Sequence, residues 1–501
     1  MSRIVIAKIE RGGTIEYVDE IIASGSMKDV YFTPDKKQAL AFFRTPQDEP
    51  SRQRLRMITG SFRERIFQQQ GGEYWEQLFC WPTRLVERYD GRIGVLMPIY
   101  DQRFFFEHGS INADFLGIRG KEKQGKWFAS PNNRNSFLDQ RERGNWLGYL
   151  RVSILISRAL RRLHAAGLAH SDLSYKNILV DPVKGLACLI DLDGLVVPGK
   201  YPPDVIGTPD FIAPEVMQTA HLSRHDAGKS LPCINTDRHA LAVLIYMYLL
   251  LRHPLRGEKI QDAEDPQRDE SLAMGECALF IEHPKDPSNR LDPADARPSE
   301  LPWKDTEALP YSITGPYLSA LFDRALIEGL HEPQLRPSAD EWEQALVKTV
   351  DLIQPCQNPN CLQKWYVFDN TRAPRCPFCG TAYQGILPAI NFHSSKQGEA
   401  FRPDNHRLMV YTGQSLFPWH IDRSVMPNER LNAAQRKRVG YFLFHNGNWL
   451  LVNESMPELT DLKTNQPIAI GQAVTLEEGS RLLLSRQNGG RLAVLQLVRG
   501  G

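Results

Sequence analysis

Apolar positions keep a period of about two through the first hundred residues, in short runs at 3–8, 30–32, 39–44 and 94–98, each closed by turn residues. That alternation predicts half-buried strands. Within this stretch only 51–70 carries helical spacing, so a small lobe of strands with one helix is expected. From Asn145 the period lengthens: Leu147, Leu150 and Ile154, then Val152, Ile156, Leu160 and Leu163, recur at steps of three and four. The longest apolar run, 240–251, falls short of the roughly 20 residues that span a bilayer and predicts a buried core helix. Two polar segments interrupt the pattern. Residues 103–144 are rich in Gly, Asn, Lys and Arg with few apolar anchors, and predict an irregular insertion. Residues 257–303 carry Asp-Pro pairs and predict a long loop with at most short helices. The last hundred or so residues alternate strand-like runs with Asn-Gly, Gly-Gln and Gly-Gly turns, the pattern of an all-β sandwich.

A length of 501 residues favours several domains, and Lys+Arg of 60 against Asp+Glu of 59 leaves a net charge of +1. That balance argues against nucleic acid or an anionic membrane surface as partner. Lys8 follows too soon after Met1 for a signal peptide, so a soluble cytoplasmic protein is the expectation. Of eight cysteines, Cys80, Cys188, Cys233 and Cys277 are scattered and read as small buried hydrophobes. Cys356, Cys361, Cys376 and Cys379 crowd into one stretch, which in a reducing compartment means metal rather than disulfides.

Three segments in order carry chemistry: His170-Ser-Asp172-Leu-Ser174-Tyr-Lys176-Asn177, Ile190-Asp191-Leu192-Asp193-Gly194, and Gly207-Thr208-Pro-Asp-Phe-Ile-Ala-Pro-Glu215. Together they resemble the catalytic loop, the magnesium loop and the end of the activation segment of a eukaryotic-type Ser/Thr protein kinase in a bacterial form. Phosphoryl transfer needs an aspartate to orient the accepting hydroxyl, and an Asn plus a second Asp to hold metal ions on the phosphates. The resemblance implies Asp172 as base and Asn177 and Asp191 as Mg²⁺ ligands. It implies Thr208 in contact with Asp172, Glu215 ion-paired with Arg336, and Asp237 bonded to the catalytic-loop backbone. The family's Asp-Phe-Gly is here Asp191-Leu192-Asp193 with Gly194 one place late, and Asp193 either helps the metal site or faces solvent. Ser171 replaces the arginine that reads a phosphorylated activation loop, and Tyr201 is the sole hydroxyl between Gly194 and Gly207, so activity without loop phosphorylation is expected. Ser174 replaces a lysine whose charge Lys176 is placed to supply.

The nucleotide side departs further from the family. In residues 23–30 only Gly25 survives of the three glycines of the phosphate loop, and Val30 keeps the apolar position over adenine. The strand that should carry a lysine reads Ala39-Leu-Ala-Phe-Phe-Arg44, which leaves Arg44 as the nearest cation for ATP, and Arg cannot closely mimic a compact ammonium. Glu64 is either the helix partner of that cation or part of a solvated face. The hinge falls at 96–100, with Met97 facing adenine.

Cys356 and Cys361, then Cys376 and Cys379, form two knuckles around the apolar stretch 365–368. Four thiolates from two knuckles make the closed tetrahedral site of structural Zn²⁺, and the segment resembles a zinc ribbon. Residues 441–498 resemble a forkhead-associated domain, with Arg423, Ser424, Arg436 and Arg438 as candidate phosphothreonine contacts. The expected fold class is α+β: a kinase N-lobe at 1–100, a C-lobe at 101–352 with the two insertions, a zinc ribbon at 353–390 and a β-sandwich at 391–501. The plan also looks like the zinc-ribbon kinases of tellurite-resistance-associated stress systems, which implies a von Willebrand A-type protein and a protein phosphatase as partners beside the protein substrate. Three rivals stand: a pseudokinase scaffold that binds nucleotide without turnover, a small-molecule phosphotransferase, and an adaptor acting through its tail.

Overall fold

The computed structural model describes residues 3–25, 27–68, 72–197, 207–223, 226–368, 374–396 and 400–499. The chain divides into two compact units, one of residues 1–144, 148–310 and 320–343, the other of residues 145–147, 311–319 and 344–501.

The first unit opens with an antiparallel sheet of seven strands: β1 (Ile4–Ile9), β2 (Thr14–Val18), β3 (Ala23–Ser24), β4 (Lys28–Phe32), β5 (Gln38–Phe43), β6 (Arg84–Glu87) and β7 (Ile93–Pro98). Their order across the sheet is β2-β1-β6-β7-β5-β4-β3. β5 is buried on both faces, which explains its unbroken apolar run. Leu40 and Phe42 pack with Tyr17, Tyr31 and Val86 on one side. Ala41 and Phe43 pack with Leu55, Leu85 and Val95 on the other. Leu55 comes from the helix Glu49–Met57, which Asp48 caps by accepting the Ser51 amide. That helix continues into a π-helical segment, Ile58–Phe62, broken at Gly60 (φ −112°, ψ −105°), and then the turn Arg63–Phe67.

The rest of the unit is built on two long helices, Trp146–Ala165 and Ile234–Leu250, with a hairpin of β8 (Ile178–Asp181) and β9 (Leu186–Leu189). In the second helix every residue from Ala240 to Leu250 is buried, as a core helix requires. The insertion at 103–144 is irregular, as expected, yet firmly anchored. Phe104, Phe106, Phe128 and Leu138 are buried, and the buried Lys123 ion-pairs with Glu142 at 2.9 Å and Asp181 at 3.2 Å. Two brief aromatic clusters, at 104–106 and 127–128, pack on each other and with one ion triad do the anchoring; they are too short to set up an apolar period. The insertion at 257–303 holds one helix, Pro266–Met274, and short 3₁₀ turns. Its Glu282 pairs with Arg252 at 2.7 Å.

The second unit is almost all β. A hairpin of β10 (Ile353–Pro355) and β11 (Trp365–Val367) carries Cys356 and Cys361 in its loop, and Cys376 and Cys379 follow in a turn closed by Arg375 and Ala382. One sheet has β12 (Ile386–Ser394) and β13 (Arg402–Met409) with β17 (Thr460–Asp461), β18 (Gln466–Pro467), β20 (Arg481–Leu483) and β21 (Arg491–Arg499); the other has β14 (Ser415–Leu416), β15 (Gly440–His445), β16 (Asn448–Asn453) and β19 (Ala473–Thr475). β12 serves two cores. Ile390 and Phe392 join Leu451, Leu482 and Leu495 within the β module, while Leu387 and Ala389 join Tyr366, Phe368, Cys361 and Cys376. The cysteine hairpin and the β module therefore share a strand. Among the described residues no helix is long and apolar enough to cross a membrane.

Candidate active site

The catalytic-loop candidates converge through short, directed hydrogen bonds. The Thr208 hydroxyl donates to Asp172 Oδ1 at 2.8 Å, and the Asn177 amide donates to Asp172 Oδ2 at 2.9 Å and to the Asp172 carbonyl at 2.8 Å. Both carboxylate oxygens are thus pinned from opposite sides, which fixes the rotamer of Asp172. The Ser174 hydroxyl lies 3.2 Å from that of Thr208 and is placed to donate to it, so the buried Ser174 steadies the threonine, while Lys176 is exposed.

The loop is braced from below by Asp237, whose carboxylate accepts the His170 amide at 2.7 Å, the Ser171 amide at 3.1 Å and the His164 ring at 3.0 Å. Ser171 is held at φ 68°, a left-handed conformation that this anchoring maintains. Arg336 grips Glu215 in a two-pronged ion pair of 2.8 and 2.7 Å. Asn177 and the strand before Asp191 are tied by the Ile190 amide donating to the Asn177 carbonyl at 3.0 Å.

The cation of this site is Lys28. It stands on β4 directly across from Phe43 of β5 in the antiparallel register, and its ammonium lies 5.6 Å from the Phe43 ring. Its Nζ donates to Asp191 Oδ1 at 2.6 Å and to both oxygens of Asp193 at 2.8 Å. Burial alone would lower the Lys28 pKa, but the Asp193 and Asp191 carboxylates outweigh it and hold it above the usual ammonium value. Burial pulls Asp191 upward as well, and Lys28 overrides it, so that carboxylate stays below its ordinary range. Asp193 goes the other way: its side chain is 2% exposed, and burial keeps its carboxyl raised despite the ammonium.

Lys28, Asp172, Asp191, Asp193, Gly25 and Val30 line one cleft of about 270 Å³. Val30 and Met97 pack on the same apolar cluster, and Met97 also touches the cluster of Phe104, Leu179 and Ile190. The structure places Arg44 apart from this group. Its guanidinium bonds Asp29 at 2.8 Å, with a further contact to Ser24, and its side chain is 42% exposed. Glu64 is exposed, and the Glu49–Met57 helix instead sends the buried Arg54 to the cleft wall. Tyr201 and Ser26 lie outside the described residues.

Sequence reasoning missed Lys28 because the residues it pairs with are 163 and 165 positions away. The available signal was the charge at the start of a strand paired with one that lacks its own. The hard oxygen donors of Asn177 and Asp191 suit a divalent cation such as Mg²⁺, while both oxygens of Asp193 are taken by Lys28. The four sulfurs of Cys356, Cys361, Cys376 and Cys379 all lie within 4.8 Å of one another, a donor set that fits Zn²⁺.

Of the β-module arginines, Arg438 is neutralised by Glu454 at 2.7 Å, Arg423 donates to the Ser394 hydroxyl at 3.2 Å and Arg436 to the Glu429 carbonyl at 3.2 Å. Ser424 donates to Asp422.

Residues 147–341 match the protein kinase domain. The chain is similar to the serine/threonine-protein kinase PknD of Chlamydia pneumoniae, 31% identical over 185 residues, covering 32% of this chain and 17% of that protein. It is also similar to a death-associated protein kinase related protein of Drosophila melanogaster, 31% identical over 128 residues, covering 25% of this chain and 16% of that protein. The chain thus spans less than a fifth of the length of these relatives. Among solved structures it is similar to ROP2 from Toxoplasma gondii, described as a virulence factor with a protein-kinase fold and no enzymatic activity. That likeness is 16% identical with a TM-score of 0.40, covering 70% of this chain and 86% of that one.

Proposed function

We propose that the chain is a Ser/Thr protein kinase that transfers the γ-phosphate of ATP to a protein hydroxyl. The observation that carries this reading is the double clamp on Asp172, one oxygen held by Thr208 and the other by Asn177. Asp172 takes the proton from the accepting hydroxyl while that oxygen bonds to the γ-phosphorus and the bond to the bridging oxygen of ADP breaks. Asn177 and Asp191 would hold Mg²⁺, which when bound neutralises phosphate charge. Val30 and Met97 would cover adenine, with Gly25 in the turn beside the phosphates.

Lys28 takes the role expected of Arg44, as the ammonium facing the phosphates. Asp193 serves as its buried counter-charge, the part for which Glu64 was one candidate. This division follows from exposure: Asp191 is half-exposed and open to a metal, whereas Asp193 is sealed against Lys28. The four cysteines would hold a structural Zn²⁺ that folds the hairpin they stand on. A von Willebrand A-type protein and a phosphatase remain proposed partners on the order of the domains alone.

A second reading, a nucleotide-binding pseudokinase, is favoured by one observation: Asp191 is already engaged by Lys28 at 2.6 Å, so a metal must compete with an ammonium. Transfer of radiolabel from ATP with Mg²⁺ or Mn²⁺, beside a nucleotide-induced thermal shift, separates the two. Label on protein supports the kinase; a shift without label selects the pseudokinase.

A further inference from the structure

The turn after β1, the kinked N-terminal helix and β6 surround a second pocket of about 430 Å³, formed by other residues than those of the catalytic cleft. Four guanidiniums line it: Arg11 from the turn, Arg56 and Arg63 from the helical segments and Arg84 from β6. Two carboxylates answer only one of them. Arg56 is bonded to Glu10 at 2.6 Å and to Glu49 at 2.7 Å. Among the described residues Arg11, Arg63 and Arg84 have no carboxylate partner, and the Nε of Arg63 is buried with no hydrogen-bond acceptor.

Arg63 lies over the Phe67 ring at 5.4 Å while Arg11 and Arg84 are exposed, and three guanidiniums facing one space with no carboxylate among them repel one another. They come from three different elements, unlike the charged stripe of a solvated helix face. Gly60 is non-helical, and the Arg11 guanidinium lies against this kink, Nη2 at van der Waals distance (3.4 Å) from where a Cβ would stand. The volume falls in the range of ligand pockets.

We propose that this pocket is a receptor for a phosphoryl dianion, carried on a protein serine or threonine or free in solution. The planar donor forks of Arg11, Arg63 and Arg84 match the oxygens of such a group, and its charge supplies what the pocket lacks. Binding there is independent of whether the catalytic cleft turns over ATP.

The test uses the full chain and a fluorescent phosphoserine peptide with neutral flanks, followed by anisotropy without Mg²⁺, beside the unphosphorylated twin and inorganic phosphate as competitor. The phosphopeptide binds and its twin does not. Arg63→Gln with Arg84→Gln weakens binding about tenfold or more, the scale of lost charge-assisted hydrogen bonds. Arg11→Gln, on an exposed turn, weakens it in the same direction without a folding risk. Lowering the pH below about 6 weakens it too, since the phosphate then takes its second proton. Arg44→Met, whose guanidinium bonds Asp29 and does not line this pocket, leaves it unchanged. Displacement by inorganic phosphate at equal affinity supports the site with a free anion as its source. Absence of binding in every arm, or equal binding by the wild type and the arginine variants, overturns the proposal.

Discussion

Replacing Lys28 by Met removes the ammonium that joins β4 to Asp191 and Asp193, and it isolates the proposed phosphate-facing cation from every other feature of the site. At 2.8 Å and an effective dielectric of about 20, a contact between unit charges amounts to roughly 6 kcal/mol before desolvation. The net cost of truncating one member of a buried pair is on the order of 3–5 kcal/mol. Asp193 softens that loss by taking up a proton, because burial already holds its carboxyl high. The variant therefore melts well below the wild type at pH 8 and closer to it in mild acid. For catalysis, losing one preorganised charge partner of the reacting group costs roughly 10²–10³ in rate. Arg44→Met is the matched control. Its guanidinium is 42% exposed, and Asp29 keeps the Ser24 hydroxyl at 2.9 Å and Arg92 at 3.8 Å, so only about 1 kcal/mol is at stake. The assay is kcat/KM for labelled phosphate transfer by both variants, with melts at the two pH values. A Lys28→Met protein as active as wild type, or an Arg44→Met protein as inactive as Lys28→Met, would rule out Lys28 as the phosphate-facing cation.

Three further outcomes follow from the same geometry. Arg336→Ala leaves Glu215 without its two-pronged partner and removes donors from the Gly329 and Leu330 carbonyls, so denaturant melts should fall by about 3–5 kcal/mol; a loss under about 1 kcal/mol contradicts this. Metal analysis of the purified chain should find zinc at about one per chain, and Cys361→Ser, at a buried ligand position, should abolish it. Unaltered zinc content in that variant refutes the four-cysteine site. Stability should fall on acidification below pH 6.5. Burial holds His253 down to about 4 and His239 well below its usual value, so between those pH values the unfolded chain binds protons that the folded chain refuses. The resulting loss is up to about 1.4 kcal/mol per pH unit for each residue, and a stability flat from pH 7 to pH 4.5 contradicts it.

The lower half of the site was legible because its chemistry is local. Asp172 and Asn177 are five residues apart and bond each other directly, and a spacing of that kind survives in the sequence as a readable string. The long-range braces were legible too, since Asp237, Glu215 and Arg336 sit in motifs of their own. The upper half was not, because Lys28 acquires its meaning from register. It faces Phe43 only once β4 pairs with β5, and it meets Asp193 only when both lobes are formed. The same contact gives a reason for the second carboxylate after Asp191, for which the spacing offered two readings. Glu64 held a plausible position on a helical pattern, but nine residues after the buried Leu55 it falls on the opposite face, exposed while its neighbours Phe62 and Ile66 are buried. The insertion at 103–144 held its anchors in two brief aromatic clusters, 104–106 and 127–128, too short for a periodicity to show. The cysteines were plain from spacing alone, because two knuckles closing on one point leave that signature in any fold.

The most direct measurement compares wild type and Asp172→Ala side by side, as radiolabel transferred from ATP to protein in the presence of Mg²⁺. Asp172 is half-buried and its partners Thr208 and Asn177 remain bonded elsewhere, so the variant should stay folded. Transfer by the wild type and its loss in the variant, with matching melting temperatures, are the expected result. Equal labelling by the two proteins would rule out Asp172 as the catalytic base.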